Sequence, residues 1–141
     1  MRIGVDAREI GGRSTGVGRW LGRLLRQWRT AAVPHDFILY APEAVPDPLG
    51  SGPRVEMRVV PGGRGSAWEQ WHLPRASAAD HLDVFFAPGY TAPLLGRVPT
   101  VTAIHDVSFM AHPEWFGTRE GIRRRFLTRQ AAAVSRAVIT I

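Results

Sequence analysis

The sequence contains no cysteine and no lysine, and all 18 of its basic residues are arginine. The absence of cysteine excludes disulfides, a thiolate nucleophile and cysteine-based zinc sites. Without lysine there is no Schiff-base catalyst and no P-loop lysine. Runs of 18 or more apolar residues are also missing, so no segment has the make-up of a membrane-spanning helix. The start, Met1-Arg2-Ile3-Gly4-Val5-Asp6, reaches a carboxylate too early for the apolar stretch of a signal peptide. A cytoplasmic protein is therefore expected. No internal repeat and no low-complexity tail interrupts the chain.

The 141 residues are enough for one ordinary domain, and 45% of them are hydrophobic, enough to build a core. The formal net charge is +6. Because arginine is permanently charged and forks onto phosphates and carboxylates, an anionic partner is one reading: a nucleotide, a nucleic acid or an acidic membrane. The other is that arginine replaces lysine through genome composition and the charges are solvated. No nucleic-acid signature accompanies the charge, so nucleic acid is not expected as a partner.

Strand and helix patterns alternate. Arg2 to Asp6 reads as a strand, followed by a loop with Gly11, Gly12, Gly16 and Gly18. A helix is expected from about Gly16 to Ala31, with Leu21, Leu24, Leu25 and Trp28 at helical spacing. Asp36 to Tyr40 and Val55 to Val60 read as strands, with an irregular, proline-rich Ala41 to Pro53 between them. Ser66 and Glu69 have capping-box spacing ahead of a helix through Trp68, Trp71 and Leu73, which Pro74 kinks or ends. Asp83 to Ala87 and Thr100 to Ile104 are apolar enough for buried central strands, joined by a loop from Pro88 to Pro99. Thr118 starts a last helix running to about Arg136, and Ala137 to Ile141 begins another buried strand. The expected fold is α/β: a Rossmann-like, doubly wound, mainly parallel sheet with helices on both faces. The stop inside an apolar run favours a chain cut from a longer protein.

Ligands of open α/β sheets gather beyond the carboxyl ends of the strands, and several motifs sit there. After the first strand come Asp6-Ala7-Arg8 and Thr15-Gly16-Val17-Gly18-Arg19. Glycines and a helix N-terminus let backbone amides approach a phosphate, and Arg19 could add a fork. The third glycine of the dinucleotide fingerprint is missing, with Leu21 in its place. A plain surface turn is the alternative. His105-Asp106 follows the fifth strand, where His105 could bind a hydroxyl or move a proton, or simply end the strand. Tyr90, Trp115 and Phe116 lie on loops leaving the same edge. They either wall a pocket or plug space. The arginines of the first helix and Arg123-Arg124-Arg125 raise the question of an anionic membrane surface.

These segments resemble the N-terminal domain of family 4 glycosyltransferases, which have the GT-B fold. The matching text is Ile3 to Arg8, Thr15 to Arg19, Trp68-Glu69-Gln70 ahead of Leu73-Pro74, and Asp83-Val84-Phe85 with Ala87-Pro88 and Tyr90. It continues with Thr102 to Asp106, Phe109, His112 to Phe116 and Ala137 to Thr140, in the family's order over nearly the whole chain. The resemblance implies one half of a GT-B enzyme: an acceptor-side domain at 1–141, with a C-terminal donor-binding domain absent from this chain. It implies sugar transfer from a nucleotide-sugar to an acceptor hydroxyl with retention, without a metal or other cofactor. Gly16, Val17, Gly18 and Arg19 would face the donor's diphosphate and His105 the transferring sugar, as the catalytic residue. Arg8, Tyr90, Asp106 and Trp115 would lie on the side of a sugar or lipid-linked acceptor, with Asp106 supporting the His105 loop. Two positions depart from the family, which often has polar residues where Phe86 stands and near Gly89. This piece alone is expected to fold, to transfer nothing, to self-associate weakly and to reside in the cytoplasm or at the inner membrane face. The runner-up is a free-standing, flavodoxin-like module holding a nucleotide or phosphate at the Gly16 loop.

Overall fold

The computed structural model describes residues 1–11, 15–45 and 54–141. Gly12 of the glycine-rich loop and the stretch 46–53 of the proline-rich connection lie outside the described residues. Among the described residues six strands form one sheet: β1 (Arg2–Asp6), β2 (Asp36–Ala41), β3 (Val55–Val59), β4 (Val84–Ala87), β5 (Thr100–Ile104) and β6 (Ala137–Thr140). Their spatial order is β3-β2-β1-β4-β5-β6, and every neighbouring pair is parallel. The chain winds outward from β1 to β3, returns across the centre to β4, and winds outward again. This is the Rossmann order 3-2-1-4-5-6 and not the flavodoxin order 2-1-3-4-5, so the flavodoxin-like shape is corrected. It also creates a topological switch point between β1 and β4, where neighbouring connections leave in opposite directions.

Both faces of the sheet are covered because strand side chains alternate. Phe37, Leu39 and Ala41 of β2 join Phe86 of β4 beneath Leu21 and Leu25 of α1 (Gly16–Thr30). Ile38 and Tyr40 turn the other way with Phe85, against Trp68, Leu73 and Ala131. Those last three belong to the helical segment that ends as α2 (Leu73–Ser77) and to α4 (Thr118–Val134). Two short helices, α3 (Ser108–Ala111) and a 3-10 turn at Pro113–Trp115, occupy the segment expected to be loop. The first rests on Asp106, whose carboxylate accepts from the Ser108 amide at 2.9 Å and from its hydroxyl at 2.6 Å.

Two expectations fail for identifiable reasons. The Ser66/Glu69 capping box does not form. The chain is helical from Ser66 but passes through a π turn at Trp68–His72, with no side-chain cap, before α2. Leu73 donates to the Trp68 carbonyl five residues back, and Pro74 has no amide to offer Gln70. The Ser66 hydroxyl instead meets Arg123, and Glu69 turns inward to a cation. The second failure is β6, read as buried from its apolar run. It is the outermost strand, and Val138 and Ile139 are 39% and 42% exposed. Among the described residues only β5 pairs with it, and the packed helices lie over the centre of the sheet.

Candidate functional site

The switch point brings together residues distant in sequence. Asp6 ends β1 and Arg8 stands two residues beyond it. Arg8 lies between two buried carboxylates, with Nε 3.2 Å from Asp6 Oδ2 and Nη2 2.5 Å from Glu69 Oε1. The Arg8 side chain is 10% exposed and that of Glu69 1% exposed. The Thr91 hydroxyl donates to the same Glu69 oxygen at 2.5 Å and lies 3.4 Å from Arg8 Nη2. The Gln70 amide donates to Glu69 Oε2 at 3.1 Å and to the Ala92 carbonyl at 2.9 Å. Gln70 also accepts from the Leu94 amide, so one side chain ties the loop after β4 to the π turn. Burial pushes Asp6 up to about 6, against the opposing pull of Arg8, and the nearby Glu69 charge adds to the rise.

A cleft of about 260 Å³ opens above this cluster. Arg8, Val17, Tyr90, Thr91, Arg64, Ser66, Arg123 and Arg124 line it, with Glu9, Glu69 and Glu120 among them. Arg123 grips Glu120 with Nε at 3.0 Å and Nη2 at 2.7 Å, while Arg124 reaches the same carboxylate only at 3.5 Å. The Arg123 hydrogen bonds hold Glu120 below the usual carboxylate range against a smaller opposing effect of burial. Arg124 also lies over the rings of Phe109 and Phe116, so Phe116 plugs the space between α3 and α4.

Each expected site residue can now be placed. Arg8, Val17 and Tyr90 line the cleft. Gly16 and Arg19 are exposed at the start of α1 and do not line it. Gly18 has a packing reason to be glycine, because a Cβ there would come 2.0 Å from the Glu9 carbonyl oxygen. Its amide is taken by the Thr15 cap at 2.9 Å, and Thr15 donates to Glu9 at 3.0 Å. His105 stands behind Tyr90 at a ring distance of 5.5 Å and edge-on to Trp20 at 4.8 Å. Its Nε2 lies 2.7 Å from the Pro88 carbonyl, a contact that needs a proton on Nε2 and leaves Nδ1 as the acceptor.

Tyr90 holds a left-handed backbone, with φ of 67°, worth about 1–3 kcal/mol of strain for a bulky residue. That bend lets its amide donate to the Ala103 carbonyl at 3.0 Å and its hydroxyl to Asp106 at 3.1 Å. Burial and the Asp106 hydrogen bond push the Tyr90 phenol up to about 12. Asp106 is held below the usual carboxylate range, first by the Ser108 hydroxyl and then by the Ser108 amide. No protein-family model matches this chain, and no curated protein shows significant similarity to it. Trp115 is drawn away from the other residues: it is 66% exposed and stacks on His112 at 4.1 Å.

Sequence reasoning missed Glu69, Thr91, Arg64 and Glu120 as site residues. The signal for Glu69 was present, because a carboxylate flanked by the core residues Trp68 and Leu73 must find a cation.

Proposed function

We propose that this chain is the acceptor-side domain of a retaining glycosyltransferase that uses a nucleotide-sugar donor. The observation that carries the reading is the convergence of Arg8, Val17 and Tyr90 on one cleft at the switch point, with His105 directly behind Tyr90. These residues come from three separate segments of the family resemblance. In this reading His105 meets the transferring sugar, with Pro88 fixing its tautomer. Asp106 positions Tyr90 and α3. The exposed start of α1, with Gly16 and Arg19, faces the donor's diphosphate. The test is hydrolysis of a panel of nucleotide-sugars by the protein at its full natural length, wild type beside His105→Ala. Cleavage of one donor, crippled by the substitution, is the expected result; indifference to every donor sinks the reading.

Contact with an anionic membrane surface is a second proposal, resting on a separate groove of about 470 Å³ between the π turn and the loop before β5. Trp71, Pro74, Leu95 and Val98 line it beside Arg75 and Arg97, and no carboxylate does so among the described residues. Apolar side chains flanked by arginine suit acyl chains below anionic headgroups. The chain should sediment with phosphatidylglycerol vesicles and not with phosphatidylcholine vesicles, and Trp71→Ala should weaken the association. Equal partition between the two vesicle types overturns this proposal.

A further inference from the structure

The cleft has a floor with an unusual requirement. Arg8 uses Nε on Asp6 and Nη2 on Glu69 and Thr91, while Nη1 has no hydrogen-bond partner among the described residues. The buried side-chain atoms left without partners are on His35 and Thr128, so Nη1 is not sealed in. Arg8 lines the cleft from a side chain that is nine-tenths buried, and Nη1 is the guanidinium nitrogen left to meet a ligand there. A guanidinium nitrogen only donates, so a ligand seated here must offer acceptor oxygens.

The charge of those oxygens is constrained by the surroundings. Arg8 is the one cation in contact with Asp6 and Glu69 among the described residues, so with both carboxylates ionised the buried cluster is negative. The rim does not reverse this. Arg64 is paired with Glu43, and Arg123 and Arg124 share Glu120. Glu9 lines the cleft with no cationic partner among the described residues. An incoming phosphate would therefore face as much negative as positive charge. Glu9 also only accepts, so the same ligand must offer donors as well. Hydroxyls meet this demand, since they both accept and donate while carrying no charge. Size narrows the class further, since about 260 Å³ lies below the roughly 300–1,000 Å³ of pockets for drug-sized ligands. A single ring fits that space.

We propose that the cleft binds a single neutral polyhydroxylated ring, a monosaccharide or cyclitol, through Arg8 and Glu9, and that it discriminates against the phosphorylated form. This names the acceptor class of the reaction proposed above and rests on that reading only for the role of acceptor. Binding is a property of the chain by itself. The ring's hydroxyl oxygens accept from Arg8 Nη1, and its hydroxyl protons go to Glu9, with Thr91, Ser66 and Tyr90 completing the wall.

The test is an NMR titration of the 141-residue chain with methyl glycosides and myo-inositol, each beside its monophosphate, and with inorganic phosphate alone. At least one neutral ring should perturb resonances of Arg8, Thr91 and Tyr90, and its phosphate should bind no tighter. Glu9→Ala should weaken the neutral ring about tenfold, the loss of one charge-assisted hydrogen bond, in a chain that still unfolds cooperatively. A phosphorylated ring or inorganic phosphate binding about tenfold tighter than the neutral parent overturns the proposal. So does a cooperatively folded chain that ignores every neutral ring, or an affinity indifferent to Glu9→Ala. Ring binding by a full-length protein that cleaves no nucleotide-sugar would sink the transferase reading and leave this site standing. Transfer to a phosphorylated acceptor alone would do the reverse.

Discussion

Replacing Arg8 with methionine removes the guanidinium that bridges two buried carboxylates while roughly keeping side-chain volume. Breaking a buried ion pair by deleting one partner costs about 3–5 kcal/mol, because the remaining charge stays desolvated. Two carboxylates are affected here, but they do not share the burden equally. Asp6, already pushed up to about 6, can take a proton near neutral pH and stop being a charge. Glu69 keeps the Thr91 hydroxyl and the Gln70 amide, which moderates its loss. The low end of the range, about 3 kcal/mol, is therefore expected at neutral pH. For a chain of this length that corresponds to a drop of about 10 °C in Tm. With a urea m-value near 2 kcal/mol/M, it also corresponds to a fall of about 1.5 M in the unfolding midpoint. The assay is urea unfolding followed by circular dichroism. Adding Glu69→Gln to Arg8→Met should then recover at least half of the loss, since neutralising the stranded charge is cheaper than keeping it. A cost below about 1 kcal/mol for Arg8→Met, or a second penalty in place of rescue, refutes the picture of a coupled buried cluster.

Gly18→Ala should destabilise by about 1–3 kcal/mol, because the new Cβ must push the Glu9 carbonyl aside. Gly16→Ala meets open space and should be neutral or stabilising by less than about 1 kcal/mol; the paired thermal melts distinguish the two glycines. The proton on Asp6 favours the fold, since its carboxyl lies at about 6 against 3.8 for the free group. Its contribution, at most about 3 kcal/mol, is complete below the free value and lost as pH rises through about 6. Unfolding midpoints between about pH 4 and pH 7 should fall more steeply for wild type than for Asp6→Asn, and parallel curves would contradict the assignment. Ile122 and Phe126 on α4 are exposed, as are Val138 and Ile139 on the edge strand β6, and weak self-association through exposed apolar side chains is expected. Phe126→Arg should shift sedimentation equilibrium toward monomer, and a wild type that is monomeric at high concentration counts against it.

The sequence showed which segments are strands and helices far better than it showed their arrangement. β1, β2, β4, β5, α1 and α4 were legible because each is a short apolar run or a helical repeat bounded by Gly, Pro or a cap. The placement of β1 between β2 and β4 was not, since parallel pairing joins residues such as Val5 and Phe86 that share no local signal. β6 shows the same limit: an apolar run marks a strand but not whether it lies at the centre or the edge. At the site, Arg8 and Tyr90 stood out because they lie in the loops that leave the carboxyl ends of β1 and β4. Glu69 was misread because Ser-x-x-Glu satisfies a local rule, and a contact with Arg8, 61 residues away, overrode it. Trp115 was overrated for the opposite reason, since its stacking on His112 is local and leads it away from the cleft.

The charge of the chain teaches a related lesson. A net +6 suggests an anionic ligand, yet little of the surplus lies in the switch-point cleft. Helix α1 carries Arg19, Arg23, Arg26 and Arg29, all exposed, and no acidic residue. The cleft arginines, by contrast, each face a carboxylate: Arg8 meets Asp6 and Glu69, Arg64 meets Glu43, and Arg123 and Arg124 share Glu120. Much of the excess field therefore belongs to the outer face of α1 and, with Arg75 and Arg97, to the second groove, where it is screened within about 10 Å at moderate salt. The concave site is left close to balance. Long-range attraction of an anionic surface and short-range recognition of a neutral ring can then coexist in one small domain. They should separate cleanly with salt: vesicle binding should weaken steeply as ionic strength rises, while the affinity for a neutral ring stays nearly constant. A ring affinity that fell in step with vesicle binding would mean that the cleft reads charge after all.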